Sequence, residues 1–420
     1  MKKGLIALAL IFCAGLLFAG GQTRTAAGEV EVLHWWTSGG EAASVAVLKE
    51  LLEAEGHKWK DFAVAGGGGD QAMTVLRSRA VAGNPPTAAQ VKGPQIQDWA
   101  EEGLLTNLDE VAKAENWDDL IPKAIADIMK YQGHYVAVPV NVHRINWMWV
   151  NPTVFEKAGA DIPKTWAEAE VAAKKIKAAG MIPVAWGGQP WQEATVFETI
   201  VAGVGGTDFY KKTMVQANPT DINSPTMVKC LETLKRMKQY TDPGAPGRDW
   251  NLATAMVIKG EAGMQFMGDW AKGEFTAAGK KPDVDYIAVA APETSKQFLF
   301  NVDSFIMFEV KDKAAKEAQK AMARLILEPK FQEVFNINKG SIPVRMGMSE
   351  GPFDIPARLS MKDFVASAKT GDLVPSMAHE MATSRAIRGA IMDTVTAFYN
   401  SDMSAQDAAA QMAKAVQSAK

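Results

Sequence analysis

The sequence predicts an α/β protein built as two discontinuous lobes joined by several chain crossings. The N-terminal part alternates short strands with helices, which implies a parallel sheet. Longer helices dominate the middle of the chain. A strand-like stretch, "SFIMFEV" (304–310), then returns before a mostly helical tail. That order is the one expected of a chain that leaves a first lobe, builds a second and comes back.

The elements follow from local pattern. "EVEVLHWW" (29–36) alternates and is β-rich, which reads as a buried first strand. "SGGEAASVAVLKELLEAEG" (38–56) reads as a helix. Ser38 is a good N-cap, Glu41 completes a capping box and Gly56 stops the run. "DFAVAG" (61–66) is a second strand, and "DQAMTVLRSRAVAG" (70–83) is a helix that halts at "NPP". "TAAQVKG" (87–93) is short and extended, and "PQIQDWAEEGLLTNL" (94–108) is a helix running into a loop. "HYVAVPVNVHRINWMWVN" (134–151) is long and alternating, as suits a strand that crosses between lobes. Helices follow in "TWAEAEVAAKKIKAAG", "PTMVKCLETLKRMKQY" and "NLATAMVIKGEAG", then extended chain in "DVDYIAVAAPE". There is no internal repeat and no low-complexity segment.

Composition narrows the function. Lys2 and Lys3, the apolar run Leu5–Ala19 and the small residues that follow have the plan of a secretory signal peptide, over about residues 1–27. The run is shorter than the ~20 residues of a membrane-spanning helix. The mature chain is expected to be exported, periplasmic and monomeric. Its one cysteine, Cys230, lies in an amphipathic helical pattern and reads as a buried structural thiol. A net charge of -3 offers no basic field for nucleic acid. The histidines have no metal-ligand spacing, and "AGGGGDQAM" lacks the Gly-Lys-Ser/Thr ending of a phosphate loop; it reads as a flexible loop near a cleft. No metal or other cofactor is expected. The 12 tryptophans beside only 6 tyrosines ask for more than packing.

Several stretches together resemble the family 1 extracellular solute-binding proteins. "RAVAGNPPTAAQV" and "IQDWAEEGLLTNLDE" are similar to that family's early segment. The crossing stretch, continued through "NPTVFEKAGADIPKTWAEAEVAAKKIKAAGMIPVAWGG", resembles its most recognisable part. "MVIKGEAGMQFMGDW" matches a Gly-x-x-x-Met-x-x-x-Gly-x-Trp pattern, and "LEPKFQEVFNINKGSIPVR" a late Gly-x-x-Pro segment. Four segments in the right order cover nearly the whole mature chain, and it looks most like the Gram-negative glucose-binding branch. The resemblance implies the two-lobe, maltose-binding-like (type II) periplasmic binding protein fold, with hinge crossings, an interlobe ligand cleft and closure on binding. It divides the chain into a first lobe (28–141 and 286–311) and a second (142–285 and 312–420). It implies a receptor, not an enzyme, that hands a monosaccharide such as glucose to the membrane permease of an ABC importer.

The same resemblance points to site residues. A tryptophan after the first strand and the Gly-x-Trp tryptophan would stack on the sugar ring: Trp35 or Trp36, and Trp270. Neighbouring strand residues face opposite ways, so at most one of Trp35 and Trp36 takes the full stacking position. Glu41, at the mouth of the first helix, would hold hydroxyls or serve only its capping box. Lys92 follows the third strand, where open α/β sheets present ligand groups; the alternative is a solvated lysine. Asn301 and Asp303 in "FNVDSFIMF" share a face, and a carboxylate entering an apolar strand must be paired or ligating. Lys339 and His379 match late ligand positions of the family, against readings as a surface lysine and a helix-start histidine. Other ligands remain open: another hexose, a pentose, a disaccharide or, against the two lysines, a cation. An enzyme reading also remains, with Glu41 and Asp303 as the acid pair of a glycoside-active protein.

Overall fold

The computed structural model describes residues 27–420. The segment read as a signal peptide lies outside the described residues apart from Ala27. Among the described residues, no helix is long and apolar enough to cross a membrane.

The chain opens with β1 (Glu29–His34), α1 (Gly39–Ala54), β2 (Lys58–Ala63), α2 (Asp70–Val81) and β3 (Ala88–Val91). After several short helices come β4 (Ala137–Pro139), β5 (Asn141–Arg144) and β6 (Trp147–Val150). The middle supplies β7 (Ile182–Val184), α3 (Pro190–Tyr210), α4 (Pro225–Lys238), β8 (Ala262–Phe266) and α5 (Trp270–Ala277). The return brings β9 (Ile287–Ala290), β10 (Phe298–Asn301) and β11 (Ser304–Met307). The tail holds α6 (Lys313–Ile326), α7 (Pro329–Lys339), β12 (Ile342–Pro343), β13 (Leu373–Pro375), α8 (Arg385–Tyr399) and α9 (Ala405–Ala419).

Three sheets organise these elements. The first lobe has a five-stranded sheet, in the order β2-β1-β3-β11-β4. β1 runs parallel to β2 and β3, as the strand–helix alternation predicts, while β11 joins β3 antiparallel. The second lobe has a four-stranded sheet, β9-β6-β8-β7. Between them lies a small hinge sheet, β12-β5-β10-β13.

The hinge sheet corrects one expectation. "HYVAVPVNVHRINWMWVN" is not a single long strand. It breaks at Val136, at Val140 and at Ile145–Asn146; His134–Tyr135 pairs only with Lys130–Tyr131, and β4, β5 and β6 each serve a different sheet. The last two breaks are held by partners far along the chain. The Val140 N–H donates to the Asp303 carbonyl, and the Ile145 N–H to the Leu299 carbonyl. Alternation reports only that each strand is half buried, and here each is buried against a different sheet.

Two separate cores give the lobes their substance. Val30, Leu48, Phe305 and Phe335 belong to the first, and Trp149, Phe197, Leu231 and Phe398 to the second. The expected boundaries need two corrections. Helices α6 and α7 bury Ala318, Met322, Phe331 and Phe335 in the first core, so this part of 312–420 stands with the first sheet. Strand β9 pairs with β6 in the second sheet, so residues 287–290 do not stand with the first. Both departures come from long-range packing of faces whose periodicity names no partner.

Most of the surplus tryptophans are packing residues. Trp99, Trp117 and Trp166 are buried, as expected. Cys230 is buried on α4, and burial pushes its thiol up to about 12. The native protein should therefore resist a disulfide-exchange reagent at neutral pH and react fully once denatured, since the thiolate is the reactive species. Rapid labelling of the folded protein would show that α4 opens.

Candidate functional site

Between the lobes lies a cavity of about 440 Å³, and every residue singled out from the sequence lines it: Trp35, Trp36, Glu41, Lys92, Trp270, Asn301, Asp303, Lys339 and His379. The first lobe contributes the ends of β1 and β3 and the start of α1. The hinge contributes the turn between β10 and β11. The second lobe contributes Trp270 at the start of α5.

The two adjacent tryptophans separate as strand alternation requires. Trp36 is 2% exposed and packs edge-on against Phe305 and Phe335, so it is chiefly a core side chain with one edge in the wall. Trp35 is half-buried, and the Lys92 ammonium stands 5.1 Å over its ring. Against the same indole lies the glycine loop, whose residues Gly66–Gly69 all have positive φ. A Cβ at Gly69 would come within 3.1 Å of Trp35, and one at Gly68 within 3.1 Å of Trp191. Only glycine accepts both the backbone angle and the approach. Because the loop belongs to the first lobe and Trp191 to the second, this contact closes the cleft. Asp70, just after the loop, is ion-paired with Arg388 of α8 at 3.1 Å.

The polar groups are tied to one another. Glu41 accepts from the backbone N–H groups of Thr37 and Ser38 and from the Lys339 ammonium at 3.1 Å. The capping role and the cavity role therefore coexist. Lys92 is buried, donating to the Gly68 carbonyl, with Glu380 4.0 Å away. Asp303 accepts from Gln90, Asn141 and His143. Burial alone would raise its carboxyl; the hydrogen bond and charge of His143, with Lys339 and Lys92 behind it, hold it well below the usual carboxylate range. Asp303 therefore keeps its charge across the working pH range.

His379 is the opposite case. Burial, then the charges of Lys92 and Arg388, push its pKa well below the ordinary imidazole value. It is neutral, and its tautomer follows from its neighbour. The Thr195 hydroxyl spends its proton on the Trp191 carbonyl, so His379 Nε2, 3.0 Å from that hydroxyl, must be the donor. Nδ1 is left as an acceptor with no protein partner among the described residues. Three further buried polar atoms of the cavity wall have no hydrogen-bond partner among the described residues: Ser38 Oγ, Asn301 Oδ1 and Trp270 Nε1. The Trp270 ring meets His379 edge-on at 4.9 Å, and Trp191 lies beyond it at 6.2 Å.

The sequence reading missed part of this wall. Trp191, Gln189, Asp249, Asn251, Gln71 and His143 also line the cavity. Trp191 had a weak signal, as an indole in the first turn of a Pro-started helix. His143 had none, being one histidine in an alternating strand. Among the described residues, no cluster of His, Cys, Asp and Glu could hold a metal ion.

The sequence profile described as "Bacterial extracellular solute-binding protein" matches residues 36–332. The chain belongs to this family. A relative from Rhizobium meliloti (strain 1021), named "Probable sugar-binding periplasmic protein", is 46% identical over 97% of this chain and 98% of its own. A Brucella melitensis protein of the same name is 47% identical over 93% of this chain and 92% of its own. Among solved structures, a "Chitin oligosaccharide binding protein" superposes with a TM-score of 0.78 at 19% identity, covering 94% of this chain and 99% of its own. The solute receptor AcbH, described with a preference for β-D-galactopyranose, superposes at 0.77 and 19%, covering 93% and 98%. At that identity the likeness is one of fold: two α/β lobes of the maltose-binding type. This solute-binding protein is a receptor and not an enzyme. The glycoside-active reading of Glu41 and Asp303 falls with that membership.

Proposed function

We propose that this solute-binding protein is a periplasmic sugar receptor, that its ligand is a monosaccharide with glucose the first candidate, and that it delivers the sugar to the membrane permease of an ABC importer. The names of the Rhizobium and Brucella relatives support the sugar class. The observation that carries the reading is the pairing of indole faces with unspent hydrogen-bonding atoms. Trp35 and Trp270 stand on opposite lobes and suit the C–H faces of a ring. Between them, Asn301 Oδ1 and His379 Nδ1 accept, Trp270 Nε1 donates, and the Lys92 and Lys339 ammoniums and the Glu41 and Asp303 carboxylates suit a hydroxyl edge. The glycine loop seated on Trp191 favours a ligand enclosed on all sides, hence a short one. We assign Trp35, Glu41, Lys92, Asn301, Asp303 and Lys339 to the first-lobe and hinge side of the ligand, Trp270 and His379 to the second, and Trp36 to the wall. The protein acts as a monomer.

A second reading has its own observation. The cavity runs on past Trp270 to Gln189, Asp249 and Asn251, which leaves room for a second ring. Native mass spectrometry of the purified protein, looking for a retained ligand, and calorimetry with glucose, galactose, xylose and maltose separate the two. Tightest binding is expected among the monosaccharides, with no release of sugar from nitrophenyl glycosides. A clear preference for maltose would assign the far end of the cavity to a second ring. Failure to bind any of the four would remove the sugar reading.

A further inference from the structure

We propose that His143 is a positioning residue for the ligand: held as an imidazolium between Asp269 and Asp303, it sets the carboxylate of one wall and the indole platform of the other in register at the hinge. The inference rests on the reading of Asp303 and Trp270 as ligand-binding groups.

The geometry carries it. His143 lies on β5, in the hinge sheet, opposite Asn301 in the antiparallel register, and is 1% exposed. Its Nδ1 hydrogen-bonds Asp269 Oδ1, and its Nε2 is 3.0 Å from Asp303 Oδ2. An ionised carboxylate only accepts, so a ring with a carboxylate on each nitrogen must carry a proton on each. Asn141 leaves that assignment to the aspartates. Its Oδ1 takes the Asp303 N–H, which fixes its amide, and its Nδ2 lies 3.0 Å from the Ser341 hydroxyl, 3.0 Å from His143 Nε2 and 3.5 Å from Asp303 Oδ2. Asp303 Oδ2 is also 3.0 Å from Nε2 and has no proton to give, so the ring nitrogen donates to it and the amide does not donate to the ring. The charges around the ring come from every side: Asp269 from the start of α5, Asp303 from the β10–β11 turn, and Lys339 from the end of α7. The imidazole is in turn felt by His379 across the cavity. Burial alone would lower the His143 pKa, and the two aspartates outweigh it and raise it.

Each aspartate is fastened to something the ligand meets. Asp303 points into the cavity itself. Asp269 is strapped to the hinge strand at both ends of one residue: its Oδ2 accepts from the Arg144 N–H at 2.9 Å, and its own N–H donates to the Arg144 carbonyl at 3.0 Å. The next residue is Trp270, whose ring stands edge-on to the imidazole at 5.3 Å. One ring thus bridges two buried carboxylates, Asp303 in the cavity and Asp269 beside the Trp270 platform, and its charge offsets both.

The sign follows from the raised pKa. The imidazolium is fully present below the ordinary value of 6.5 and is lost as pH rises through the higher folded value, so ligand affinity should fall on the alkaline side. Calorimetry with glucose from about pH 6 to about pH 10 should show wild-type affinity weakening by about tenfold or more at the alkaline end, the size of one charge-assisted bond. His143→Gln should bind about tenfold or more weakly at neutral pH and lose that alkaline step. His143→Gln combined with Asp269→Asn should recover part of the loss, because it removes one uncompensated carboxylate. The same affinity and pH profile in His143→Gln as in wild type would overturn the proposal. Nitrogen chemical shifts of the imidazole test the charge without any sugar: both nitrogens of His143 should be protonated at neutral pH in the unliganded protein, and a single protonated nitrogen would overturn the proposal too. A wild type that binds no sugar, yet shows the doubly protonated ring, would sink the receptor reading and leave the clamp standing.

Discussion

Replacing Asp303 with alanine should weaken sugar binding by about a hundredfold and also lower the melting temperature of the unliganded protein. The carboxylate is buried among Gln90, Asn141 and His143, with Lys339 and Lys92 near enough to hold its charge. Charge-assisted hydrogen bonds to a ligand hydroxyl are each worth roughly 1.5–3 kcal/mol, and every 1.4 kcal/mol is about tenfold in affinity. Removing one partner of a buried ion pair costs roughly 3–5 kcal/mol on its own, because the other charge is left uncompensated. Both quantities must therefore be measured, affinity by calorimetry and stability by thermal unfolding without ligand. Near-normal affinity with a lowered melting temperature would make Asp303 a structural partner of His143, and would take Asn301 out of the site with it. Asp303→Asn refines the outcome, because the amide keeps the shape and removes the charge that His143 needs.

The second large effect lies away from the polar groups. Valine at Gly273 should reduce affinity by about five- to a hundredfold or more, the range that roughly 1–3 kcal/mol of overpacking implies. Helix α5, which carries Trp270, packs backbone to backbone on the first lobe. A Cβ at Gly273 would meet the Asn338 carbonyl at 2.6 Å and the Lys339 carbonyl at 3.0 Å, and one at Gly40 of α1 would meet the Gly273 carbonyl carbon at 2.6 Å. The Gly40 N–H also donates to Glu274 across the same contact. No rotamer relieves a clash at Cβ, so the helix must move, and Trp270 moves with it, away from Glu41 and Lys339. Gly389→Ala is the control, since nothing lies within 4 Å of a Cβ there. Small-angle scattering at saturating sugar should give wild type a smaller radius of gyration than Gly273→Val. Equal radii and equal affinities would show that closure does not depend on this seam.

The candidate site was largely legible because its residues sit where local rules are strong. Glu41 is the third residue of a helix whose start is marked by Ser38, and Lys92 follows a short strand. Asn301 and Asp303 are a polar pair at the edge of an apolar run, which buried sheet does not tolerate without a purpose. What local rules did not contain was their pairing. The Glu41–Lys339 bridge spans most of the chain, and no spacing announces it. His143 and Trp191 were missed for the same reason: one histidine in an alternating strand and one indole in a helix's first turn look like ordinary core.

By itself the sequence determined local features: the Ser38–Glu41 capping box, the alternation of β1, and the opposite facing of Trp35 and Trp36. These depend on neighbours a few residues away, where backbone geometry allows only a few answers. Only the tertiary structure decided which sheet each crossing strand joins, that α6 and α7 pack on the first core, and that one imidazole lies between two aspartates. Periodicity states which face is buried, never against what. The partners of a buried charge are chosen by chain closure over long separations, where the apolar faces of both lobes compete to be covered.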